Sequence, residues 1–125
     1  MSTLSAFVTH LINFLNELHD TFPESKEIRM GIDAVSSAKK INPRLIVDVF
    51  NVHINVPLSE SIYNKNIEEF RNKITESLKV NNNEFLSSVK IFEERWHELS
   101  VNNRETIWKY LKVLCVLCEK IVHAK

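Results

Sequence analysis

The run IVDVFNVHINV, residues 46 to 56, decides how the rest of the chain is to be read. Its valines and isoleucines suit extended backbone, and it is the one stretch that reads as either strand or helix. Asn42-Pro43, just ahead of it, is a helix start: a capping side chain followed by a residue whose fixed φ fits a first turn. Leu45, Ile46, Val49, Phe50, His53 and Val56 then fall on one helical face. The run is therefore read as a helix, central in the molecule and broken by Pro57. The fold class expected is all-α, a compact single-domain bundle of about five to six helices spanning residues 1–125.

Outward from that run, the other helices follow the same periodicity. Leu4, Val8, Leu11, Leu15, Leu18 and Phe22 repeat at steps of four and three, flanked by Phe7, Ile12 and Phe14. A second helix is expected to begin at Pro23-Glu24, with a thin stripe of Ile28, Ile32, Val35 and Ala38. After a short segment at 59–64, a fourth carries Ile67, Phe70, Ile74 and Leu78. The asparagines at 81–83 read as a loop, with Asn83 as cap for a helix faced by Phe85, Val89, Phe92, Trp96 and Leu99. Residues 100–103 separate it from a last helix faced by Ile107, Leu111, Leu114, Cys118 and Ile121.

Composition narrows the function classes. The chain has 125 residues, enough to bury a core without disulfides or metal. Its 16 basic and 16 acidic side chains cancel, which removes the broad positive field of most nucleic-acid binders. Gly31 is the only glycine, so phosphate-cradling and dinucleotide-binding glycine loops are excluded. No apolar run approaches the roughly 20 residues of a membrane span. The N-terminus lacks the pattern of a signal peptide, and two cysteines are too few for a disulfide framework, so the expectation is a soluble protein of the cytoplasm.

The most apolar stretch, ETIWKYLKVLCVLCEKIV at 105–122, holds Cys115 and Cys118 in a C-x-x-C spacing. Both fall within the arc of Ile107, Leu111, Leu114 and Val122, more than two turns from the helix start, where no dipole lowers a thiol pKa. A structural zinc would need two more ligands at recognisable spacing. The pair is read as packing. His10, His19, His53, His97 and His123 are scattered, and WHELS at 96–100 lacks the second histidine of a zinc-protease motif. Glu68-Glu69 and Glu93-Glu94-Glu98 read as solvated helical faces. No catalytic residue, metal ligand or cofactor is expected, and the chain is read as non-enzymatic.

The last helix has more apolar positions than one seam needs. Tyr110, Val113 and Leu117 widen its arc, and Val116 lies among Lys109, Lys112 and Lys120. Tyr110, Val113, Val116 and Leu117 are thus the candidate partner-binding residues, for another protein or for a second copy in a homodimer. Lys109, Lys112 and Lys120 are the candidates for the alternative, a small nucleic-acid-associated module.

Three stretches, FLNELHDTFPE at 14–24, NPRLIVDVF at 42–50 and RWHELSVNNRETIWKYLKVLCVL at 95–117, give the chain a resemblance. Together they are similar to small all-helical proteins encoded by nucleocytoplasmic large DNA viruses of algae and protists. The resemblance spans most of the chain. It implies the cytoplasm or replication compartment of an infected host cell and brings no catalytic residues with it. The function expected is a helical protein-protein interaction or scaffold protein.

Overall fold

The computed structural model describes residues 2–80 and 84–124, with the backbone alone at 80, 84 and 85. The loop expected at 81–83, the Asn83 cap and the side chain of Phe85 lie outside the described residues. Elsewhere the chain is all-α, with no strand among the described residues. Its α-helices are α1 (Thr3–Thr21), α2 (Lys26–Ile41), α3 (Pro43–Phe50), α4 (Val56–Tyr63), α5 (Ile67–Val80), α6 (Glu84–Glu94) and α7 (Val101–Val122). A π-helical stretch, Asn51–Asn55, joins α3 to α4 end to end, so the described chain makes six helical rods.

Helix starts follow from side-chain caps. Ser2, Ser25, Asn42 and Ser100 each accept a hydrogen bond from a backbone N–H in the first turn that follows, which satisfies a donor the helix itself cannot. Two expected boundaries move as a result. Pro23 and Glu24 lie in the turn before α2, because Ser25 provides the cap. Only Ser100 stands outside α7, where residues 100–103 were expected to separate two helices.

Pro57 does not break the third helix. It has no N–H, and its ring crowds the carbonyl four residues back. Ahead of it the backbone shifts register, the N–H of Val56 donating to the carbonyl of Asn51 five residues back, and Pro57 then occupies the first turn of α4. The rod continues through the expected segment at 59–64 as far as Tyr63. It ends in a Schellman turn: the N–H of Asn66 donates to the carbonyl of Ser61 at 2.9 Å and that of Lys65 to Ile62 at 3.1 Å. Lys65 there has φ 54°, the left-handed region where a side chain is disfavoured.

The core is one cluster. α1 packs most extensively on α7 and α2 on α6, and the α3–α4 rod lies against α1, α2, α5 and α7. Gly31, on the buried face of α2, permits close helix approach. Phe7 meets Phe50 edge-on at 5.2 Å between ring centres. At the far end, Phe70, Phe92, Trp96 and Trp108 form a second aromatic group, with Phe92 and Trp108 5.0 Å apart. Arg104 closes it: its guanidinium lies 4.5 Å over the Trp96 ring and donates to the Trp96 carbonyl at 2.8 Å.

Two clusters of charged side chains, around Arg95 and Glu93, tie elements together. Arg95 lies 4.1 Å over the ring of Phe22 and bridges Glu24 and Glu98, so that its hydrogen bonds hold both carboxyls below their usual range. Glu93, expected on a solvated face, is buried. Arg71 of α5 donates to it at 2.8 Å, and Lys90 bonds its other oxygen. A carboxylate is tolerated there because both oxygens have cationic partners.

Two outcomes follow. Lys65→Gly relieves the left-handed strain and should raise stability by about 0.5–1 kcal/mol in urea unfolding, even though it removes the exposed Lys65–Glu105 pair. Glu93→Ala should lower stability by about 1–3 kcal/mol, and Glu93→Met alone should recover little of that loss, because it leaves Arg71 and Lys90 without their buried counter-charge.

Candidate functional site

The α3–α4 rod is apolar on two opposite sides. Ile46, Val47, Phe50, Ile54, Leu58 and Ile62 point inward and are buried. Leu45, Val49, Val52 and Val56 point outward, exposed to 47%, 38%, 61% and 71%. Leu45 and Val49 stand before the π-helical stretch and Val52 and Val56 within and just after it, all four on the outside of the rod as its outer stripe. The helical face expected for this segment is therefore split. Ile46 and Phe50 belong to the core, whereas Leu45, Val49 and Val56 belong to the surface. Periodicity located the helix and could not say which of its two apolar sides the chain covers.

Between Pro43 and Tyr63 the charged residues are Arg44, Asp48 and Glu60. Arg44 and Asp48 pair with each other at 3.3 Å on the exposed side. The stripe is thus open apolar surface with a sparse polar rim. Ile41, at the corner leading into the rod, is exposed as well.

On the flank of the rod that meets α7, the π-helical stretch holds a polar contact. Asn55, buried, donates from Nδ2 to Asn51 Oδ1 at 2.9 Å and to Glu119 Oε1 at 2.6 Å. Its own Oδ1 is buried and accepts no hydrogen bond. Cys118 Sγ lies 3.6 Å from Asn51 Oδ1. Asn55–Glu119 and Lys65–Glu105 together show that the rod and α7 run antiparallel. This cluster locks the two elements in register and fixes which side of the rod turns outward. Tyr63, at the rod's end, has its phenol pushed up by burial first and then by the neighbouring Cys115, Glu119 and Cys118.

The candidates on α7 separate into two pairs. Val113 and Val116 are exposed, while Tyr110 and Leu117 are half-buried and pack against the core. Tyr110 sits against His10 and Phe14, with ring centres 5.0 and 5.9 Å away. Lys109, Lys112 and Lys120 are exposed, and Glu105 and Glu119 are exposed on the same helix. At 100° per residue the five share one side, so the lysines form no field of a single sign.

Both cysteines are free and fully buried, within the core cluster. Burial is the main reason the Cys115 thiol is pushed up to about 12 and the Cys118 thiol to about 11. A thiol held that high is a poor nucleophile at neutral pH. Nε2 of His19 is buried with no partner, and His53 lies half-buried in the π-helical stretch. Among the described residues no group of three or more His, Cys, Asp or Glu is placed to hold a metal ion, and no helix is long and apolar enough to cross a membrane.

The thiols give a direct measurement. In the folded protein at pH 8 neither cysteine should react with a chromogenic disulfide reagent on the time scale of minutes, and both should react at once in concentrated urea.

Comparison of the chain with protein-family models, with curated proteins and with solved structures finds no match in any of the three.

Proposed function

We propose that this is a non-enzymatic helical protein that docks onto other protein surfaces, with the outer stripe of the α3–α4 rod as its contact face. The observation that carries the reading is the exposure of Leu45, Val49, Val52 and Val56 in line on a rod whose other side is already buried. A helix that is apolar on opposite sides belongs between two partners, and its own chain supplies only one. At about 25 cal/mol per Å² of apolar surface removed from water, covering such a stripe contributes usefully to binding. Val113 and Val116 on α7 are a smaller second patch. Their lysine neighbours are interleaved with glutamates, so the nucleic-acid alternative gains no support from the arrangement. The viral resemblance, and with it the infected-cell cytoplasm, belongs to the same proposal.

The test is site-specific photo-crosslinking in the cell of origin. A photoreactive residue at Val52 or Val56 should give discrete protein adducts, and one at the exposed Glu76 of α5 should give none. Val52→Asp with Val56→Asp should abolish binding by the rod while leaving unfolding free energy within about 0.5 kcal/mol, since both sites are on the surface. Equal labelling from all three positions would refute the reading.

A further inference from the structure

We infer that the segment this stripe receives is acidic: an amphipathic helix of a partner protein, with an apolar seam for the stripe and carboxylates for Lys39 and Lys40. The inference rests on the reading of the stripe as a protein contact and names the chemistry of what covers it. Its ground is where the chain keeps its acids. Of the 16 acidic residues only Asp48 lies between Asp33 and Glu60, and the same stretch holds Lys39, Lys40 and Arg44. It also holds five exposed large apolar side chains, Ile41, Leu45, Val49, Val52 and Val56. The apolar surface left open is therefore also surface left positive.

That charge is not neutralised within the chain. Asp48 is taken up by Arg44 in an exposed pair at 3.3 Å. Lys39 and Lys40 are exposed next to Ile41, which is itself 80% exposed, and they have no ion pair among the described residues. On α5 and α6, by contrast, Arg71, Lys73, Lys79 and Lys90 all pair with glutamates of this chain. Unpaired positive charge at the head of an open apolar stripe is complementary to an acidic partner, which takes orientation from the lysines and affinity from the apolar row.

An anionic bilayer fits this surface less well than an acidic helix. Anionic lipid is recognised by clusters of about four to eight cations, and interfacial segments carry tryptophan or tyrosine. Between Asp33 and Glu60 there are three cations and neither aromatic residue.

Two synthetic peptides test the inference, each of about 18 residues, or roughly 27 Å of helix. They share one leucine seam, flanked by glutamates in the first and by lysines in the second. In fluorescence anisotropy at low salt the glutamate peptide should bind about tenfold more tightly. Lys39→Glu with Lys40→Glu should reverse that preference, and Lys109→Glu with Lys112→Glu, the same change of charge on α7, should leave it. Both lysines of the first pair stand in the last turn of α2, where the helix dipole favours them, so urea unfolding of each variant is measured alongside. In the cell, adducts from a photoreactive residue at Val52 should fall about tenfold with the α2 pair of substitutions and persist with the α7 pair.

No binding of either peptide, or equal affinity for the two, overturns the inference, as does a preference that the α7 pair alters as much as the α2 pair. Binding to vesicles of phosphatidylcholine and phosphatidylserine in place of the glutamate peptide overturns it too. Adducts from Val52 that survive the charge change at Lys39 and Lys40 remove the acidic partner and leave the contact-face reading standing. An absence of adducts from Val52 in the otherwise unaltered protein removes both.

Discussion

The outer stripe of the α3–α4 rod depends on one slip in hydrogen-bond register. Proline within a helix removes a donor and collides with the preceding turn, and at Pro57 the chain meets that problem by taking the bond from Val56 to Asn51 one residue further back. The rod stays continuous and keeps Phe50, Ile54, Leu58 and Ile62 on its inner side. Had the helix stopped at the proline, the residues on either side of it would belong to two elements with independent directions. No single outer stripe would exist.

The polar contact beside the slip holds the rod in its rotation. Asn51 and Asn55 come from the π-helical stretch itself, and Glu119 of α7 accepts from Asn55. A π-helical turn sets side chains at angles that an α-helix does not, and here the Asn55 amide donates both to the Asn51 side chain and to the Glu119 carboxylate. Rotating the rod would break these bonds and expose Phe50, which packs edge-on against Phe7. The apolar core and the polar lock therefore select the same orientation, and the valines outside are a consequence of it.

Much of this was legible before any coordinates. Steps of three and four place α1, α5 and α7, and Asn42-Pro43 marks the start of the rod, because capping and periodicity are local properties. The inward direction of Cys115 and Cys118 followed from the wheel of their helix alone. What remained hidden depended on other elements. Pro57 is a breaker by its own chemistry, and only tertiary packing makes the register slip the cheaper solution. Leu45, Val49 and Val56 share their helix with Ile46 and Phe50, so hydrophobicity could not sort core from surface. Glu93 stands among other glutamates and became a buried group because Arg71 arrives from α5. On α7 the wheel could not sort Val113 and Val116, which are exposed, from Tyr110 and Leu117, which pack against the chain's own core.

The two tryptophans occupy a single place. Trp96 and Trp108 lie 5.8 Å apart, both against Phe92, and Arg104 covers the outer ring. The chain has no other tryptophan. Its ultraviolet emission is accordingly a local gauge of the α6–α7 end, while the rod, with only Tyr63, is nearly dark at those wavelengths. Motion at one end of the molecule can thus be followed optically while events along the valine stripe pass without disturbing the record.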